Sequence, residues 1–104
     1  MSAIWIVEGW RAHPGVAAME VRDQDAFPFA AAGIVRCHGN DAAVAAHLAG
    51  LVGDDPAWAG FDADAYLSRL ERVGLVQRGA AGHLELVPGG PIQDREPVAT
   101  CPQP

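Results

Sequence analysis

The sequence predicts an α+β chain: an N-terminal β-hairpin, then three helices, then a C-terminal β-hairpin. Three observations predict it. Residues 61–87 carry a helix marked at both ends, followed by two short extended runs. Residues 40–53 place apolar side chains at steps of three and four between a capping residue and a glycine. Residues 3–7 form a continuous apolar run rich in β-branched and aromatic side chains, suited to a strand covered on both faces. Together they give the order of a winged-helix-like domain over residues 1–87, with the last hairpin as its wing and residues 88–104 as a Pro-rich flexible tail.

Taken in order, the first strand is AIWIV, and residues 9–15 carry turn formers. Residues 16–21 (VAAMEV) read as a second strand, weakly, because alanine forms strands poorly. The two would pair as the N-terminal hairpin. Arg22, Asp23, Gln24 and Asp25 read as the polar break behind it. Residues 27–38 read as a helix, with Pro28 in its first turn and Gly39 as its stop, although Gly33, Ile34 and Val35 also suit a strand. Asn40 or Asp41 caps the next helix, where Val44, Leu48, Leu51 and Val52 share a face and Gly53 ends it. Asp54, Asp55 and Pro56 make a turn, and residues 57–60 one helical turn that drops Trp58 onto the core.

The last helix is the best marked. Asp62 is its N-cap, and Phe61 just outside can pack on Tyr66 as a hydrophobic staple. Tyr66, Leu67, Leu70 and Val73 recur at helical spacing, with Ser68, Arg69, Glu71 and Arg72 on the other face. Gly74 stands where a left-handed residue stops a helix, and Leu75 where a Schellman cap returns an apolar side chain onto Leu70. Residues 75–78 and 83–87 are then the strands of the wing around Gly79–Gly82. Beyond Val87 prolines dominate and little is available to bury, which predicts the tail.

Charge narrows the function. The net charge is −6, and all seven basic residues are arginine. A nucleic-acid binder needs a basic field, so nucleic acid is disfavoured as a partner. The N-terminal half of the last helix, which would approach base edges, carries only Asp62 and Asp64. No apolar run approaches the roughly 20 residues of a membrane span, and no signal segment precedes one, which predicts a soluble, cytoplasmic protein with no membrane partner. Cys37 and Cys101 are expected as free thiols in that compartment.

Catalytic and metal-binding patterns are missing. His13, His38, His47 and His83 form no His-x-x-x-His pair, and Cys37 and His38 would diverge on a helix. Only Ser2 and Ser68 could serve as serine nucleophiles, and no glycine-rich phosphate cradle is present. The paired aspartates sit at turns and helix starts, where capping accounts for them. The chain is therefore expected not to be an enzyme, with no cofactor and no metal.

The stretch from Phe29 to Val76, with its ending Leu70-x-x-x-Gly74-Leu75-Val76, resembles the helical half of PqqD-like proteins. These are recognition elements for ribosomally made, modified natural products. Trp10 to Ala17 (WRAHPGVA) resembles the start of the PqqD-like chaperones of mycofactocin synthesis. The resemblance covers about half the chain, and it departs from the family in showing two N-terminal strands and a hairpin after Gly74. It implies a non-enzymatic peptide-binding module that presents a precursor's leader peptide, held as an added strand, to a modifying enzyme. The expected peptide-binding residues are Ala17, Met19 and Val21 on the second strand and Tyr66, Arg69, Leu70 and Val73 on the last helix. Ordinary core packing is the competing reading of the apolar ones. Two alternatives remain: a DNA-binding transcription regulator working as a homodimer through Arg72, Arg78 and His83, and a small accessory subunit of a larger enzyme.

Overall fold

In a computed structural model the structure describes residues 3–95. The architecture is α+β: helices gathered on two small antiparallel sheets. Strand β1 (Ala3–Ile6) is followed by a 3-10 turn at Trp10–Ala12 and the one-turn helix α1 (Pro14–Ala17). Helix α2 (Val21–Arg36) is the long central element, touching β1, β3, β4 and α3. Then come α3 (Asp41–Val52), a 3-10 turn at Pro56–Trp58, and α4 (Ala63–Arg72). Strands β2 (Val76–Arg78) and β3 (Leu84–Leu86) form one hairpin, and β4 (Ile92–Arg95) returns to pair with β1.

The caps explain most boundaries. Asn40 Oδ1 accepts from the Ala43 N–H (2.9 Å) and Asp62 Oδ1 from the Ala65 N–H (3.2 Å). The Phe61 and Tyr66 rings lie 5.4 Å apart, closing the staple at the head of α4. At its tail Leu75 N–H donates to Leu70 O (3.0 Å) and Gly74 N–H to Glu71 O (3.2 Å), with Gly74 at φ +83. That is a Schellman cap, and Leu70 and Leu75 are both buried beneath it. The hairpin follows as expected, in the register Val76↔Leu86 and Arg78↔Leu84.

The N-terminal hairpin is corrected. Residues 16–21 form no strand: Pro14 opens α1, His13 Nδ1 accepts from the Gly15 N–H (3.1 Å), and Glu20 already precedes α2. Proline at the first helical position and the run of alanines favour helix here over strand. The expected polar break at residues 22–25 is the first turn of α2. Asp23 lies buried there near the positive end of the helix dipole, and Gln24 Nε2 donates to Met19 O (3.0 Å). Residues 27–36 are helix, but Pro28 stands well inside it rather than in its first turn.

The stop of α2 also differs by one residue. His38, at φ +52, takes the left-handed position, and Gly39 N–H donates to Ile34 O (2.9 Å). Gly39 is itself at φ +74, and a Cβ there would collide with the backbone oxygen of Leu84. The close approach is productive, since Leu84 N–H donates to Gly39 O (2.9 Å) and ties the β2–β3 hairpin to the end of α2.

The boundary at Val87 is corrected as well. Residues 92–95 pair with 6–3, Val7 N–H donates to Pro91 O (2.9 Å), and Ile92 is 1% exposed. A Pro- and Gly-rich composition hid a strand whose partner lies at the other end of the chain. Residues 96–104, with Cys101, lie outside the described residues. The core centres on Phe27, Ala30, Ala31 and Ile34 of α2, packed against Val44, Leu48, Tyr66, Leu70 and the inward faces of the strands. Gly33 lets α2 and α3 approach, because a Cβ there would stand 2.8 Å from the His47 ring. Among the described residues no helix is long and apolar enough to cross a membrane.

Candidate functional site

The residues expected to frame a peptide groove do not frame one. Without a strand at 16–21 that segment offers no edge to receive an added strand. Met19 is 6% exposed and belongs to the core, so a charge placed there would break packing rather than probe a surface. Ala17 is exposed at the end of α1, and Val21 is exposed at the start of α2. Tyr66 and Leu70 are buried and Val73 is half-buried, which is the core reading of these positions. Arg69 is ion-paired with the buried carboxylate of Asp23. Met19 and Arg69 do meet, at a polar hollow shared with Asp23 and Arg22, but the pairing of Arg69 with Asp23 accounts for it.

Of the two arginines considered for phosphate contact, Arg78 is committed to carboxylates and Arg72 is not. Arg78 reaches Asp41 (2.6 Å) and Glu71 (3.4 Å) and donates to Gly82 O (3.0 Å). The hydrogen bond from Arg78 holds the Asp41 carboxyl below its ordinary pKa, and that bond raises the guanidinium's in turn. Arg11 pairs with Asp25 (2.8 Å) and stacks over Trp10. Among the described residues Arg36 and Arg72 make no ion pair, and they stand on different helices.

One hollow, of about 690 Å³, lies between the C-terminal end of α2 and the β2–β3 hairpin, with His38, His83, Arg36 and Glu85 on its walls. Among the described residues no three His, Cys, Asp or Glu side chains converge there or elsewhere.

A smaller hollow is of a different kind. About 190 Å³ in volume, it opens between α2, α3 and the Pro56–Trp58 turn, and its walls are Phe29, Leu48, Leu51, Trp58, Phe61 and their apolar neighbours. Local structure builds each wall. Asp55 Oδ1 accepts from the Ala57 N–H (2.9 Å), fixing the turn that carries Trp58. The Trp58 and Phe61 rings meet edge to face at 5.4 Å. Arg22 braces both from behind: it donates to Ala59 O (3.1 Å), with its guanidinium 5.6 Å from the Trp58 ring. On the open side Phe29 is 59% exposed and Leu51 54%. The sequence placed Leu51 on one apolar face of α3 with Val44 and Leu48, but in the structure it is more than half exposed while those two are buried. Phe29 stands two positions from buried Phe27 and so on the opposite side of α2.

Comparison with protein-family models, with curated proteins and with solved structures found no match to this chain.

Proposed function

We propose that this chain is a non-enzymatic, winged-helix-like interaction module that binds a polypeptide segment in the apolar hollow between α2 and α3. One observation carries the reading: two large apolar side chains, Phe29 and Leu51, stand more than half exposed on adjacent helices at the mouth of a hollow walled by Trp58 and Phe61. Scattered exposed hydrophobics need no explanation, but a contiguous concave set with aromatic walls is the composition of a binding hot spot. At about 190 Å³ the hollow is below the roughly 300 Å³ of small-molecule sites, which favours an anchoring side chain over a cofactor. The order α2, α3, α4 and hairpin, with Gly39 bonded to the wing, supports the winged-helix description.

A precursor's leader peptide, as the resemblance to PqqD-like proteins implies, is one such segment. Its docking as an added strand at residues 17–21 is not part of the proposal. Duplex DNA is disfavoured by the charge of −6 and by the engagement of Arg78 with carboxylates. The test is selection of binders from a random peptide library by the full chain. Phe29→Asp and Leu51→Asp should each weaken the selected peptides by at least about tenfold while leaving the fold intact. A library that yields no binder, or binders indifferent to both substitutions, removes the proposal.

A further inference from the structure

We infer that the segment held in this hollow is basic: one bulky aliphatic or aromatic anchor flanked by arginine or lysine. This rests on the binding role proposed above and specifies its partner. The size sets the anchor. A cavity of about 150 Å³ accepts a benzene ring, so the hollow of about 190 Å³ takes one leucine or phenylalanine side chain and not two.

The rim sets the flanks. Asp54 and Asp55 lie between the wall residues Val52 and Trp58, and Asp62 follows the wall residue Phe61. All three are exposed. The caps made by Asp55 and Asp62 each use one carboxylate oxygen and leave the charge in place. Arg22 is the opposing charge at this end, but it is half-buried and turned onto the Trp58 and Phe61 rings. The segments that carry the walls therefore bear more negative than positive charge, on a chain whose whole charge is −6. A second copy would bring two such surfaces together, so like-charge repulsion disfavours self-association as the occupant, whereas a cationic segment is drawn in.

The experiment uses the same random library and the full chain, with the variant Asp54→Asn/Asp55→Asn/Asp62→Asn beside Phe29→Asp. Asparagine keeps the capping oxygen, so the triple variant should fold normally. The expected result is enrichment of peptides with one large apolar residue between basic ones. Their binding should fall about fivefold in the triple variant and weaken steeply with added salt, as exposed charge pairs do. Apolar anchors with neutral or acidic flanks, or equal binding by the triple variant, would overturn the basic partner yet leave the binding role standing. No binder at all would remove both. A dimer in sedimentation that Phe29→Asp dissociates would make the occupant a second copy and defeat the inference. So would peptide binding that begins only after residues 96–104 are removed, which would make the occupant the chain's own end.

Discussion

The Tyr66 hydroxyl donates to the carbonyl oxygen of Asp23 (2.8 Å), and the carboxylate of Asp23 pairs with Arg69, so one residue of α2 is held twice by α4. Neither bond could be read from the sequence, because they join positions far apart in the chain and because Asp23 looked like part of a loop. Burial raises the Tyr66 pKa well above its ordinary 10.0, with the Asp23 charge adding to the shift. The sign follows from linkage. The folded state keeps its proton where the unfolded state has lost it, so this contribution is complete below pH 10 and shrinks as pH climbs beyond it. Tyr66 is the chain's one tyrosine, which makes the measurement clean. Phenolate absorbance should appear only together with unfolding, rather than in a separate earlier step. Tyr66→Phe should cost about 1 kcal/mol at neutral pH through the lost hydrogen bond. It should also flatten the alkaline fall in stability measured by urea denaturation.

Helix ends were the most legible elements, because a cap is a local arrangement and its residues adjoin in sequence. Asp62, Asn40 and the Gly74–Leu75 pair all act as their types suggest. Residues 14–36 were the least legible. Alanine serves equally on a buried face, as Ala30 and Ala31 do, and on an exposed one, as Ala32 does, so the helical phase could not be set. With the phase unset, Phe29 could not be assigned to the surface, and the hollow it borders could not be foreseen. The end of α2 offers a test of element-level strain. His38 occupies a left-handed conformation that costs a non-glycine residue about 1 kcal/mol or more. His38→Gly should therefore raise stability by roughly 0.5 kcal/mol, after the added flexibility of the unfolded chain is deducted. Gly39→Ala should lower it by about 2 kcal/mol or more, since the new methyl needs both a positive φ and the space held by Leu84. Denaturation midpoints at unchanged slope separate the two.

At the scale of the molecule the decisive feature is closure of the chain's two ends by β1 and β4. Two short strands would be marginal alone, and each is stabilised by packing on α2. Ile92 is fully covered, and Val7 N–H is satisfied by Pro91 O across the junction. A chain ending at Val87 loses that ladder and the Ile92 side chain together. It also turns β1 into an unpaired strand displaying Ile6, which is exposed already. Total stability for a small domain is roughly 5–15 kcal/mol, and an isoleucine truncated to alanine in a core costs about 2–5 kcal/mol. Ile92→Ala should accordingly lower the melting temperature strongly but leave a cooperative transition, followed by circular dichroism. The chain cut after Val87 should melt without cooperativity or aggregate. If the shortened chain instead unfolded in one step at the temperature of the full chain, β4 would be an appendage. The hollow beside α2 would then owe nothing to the pairing of the termini.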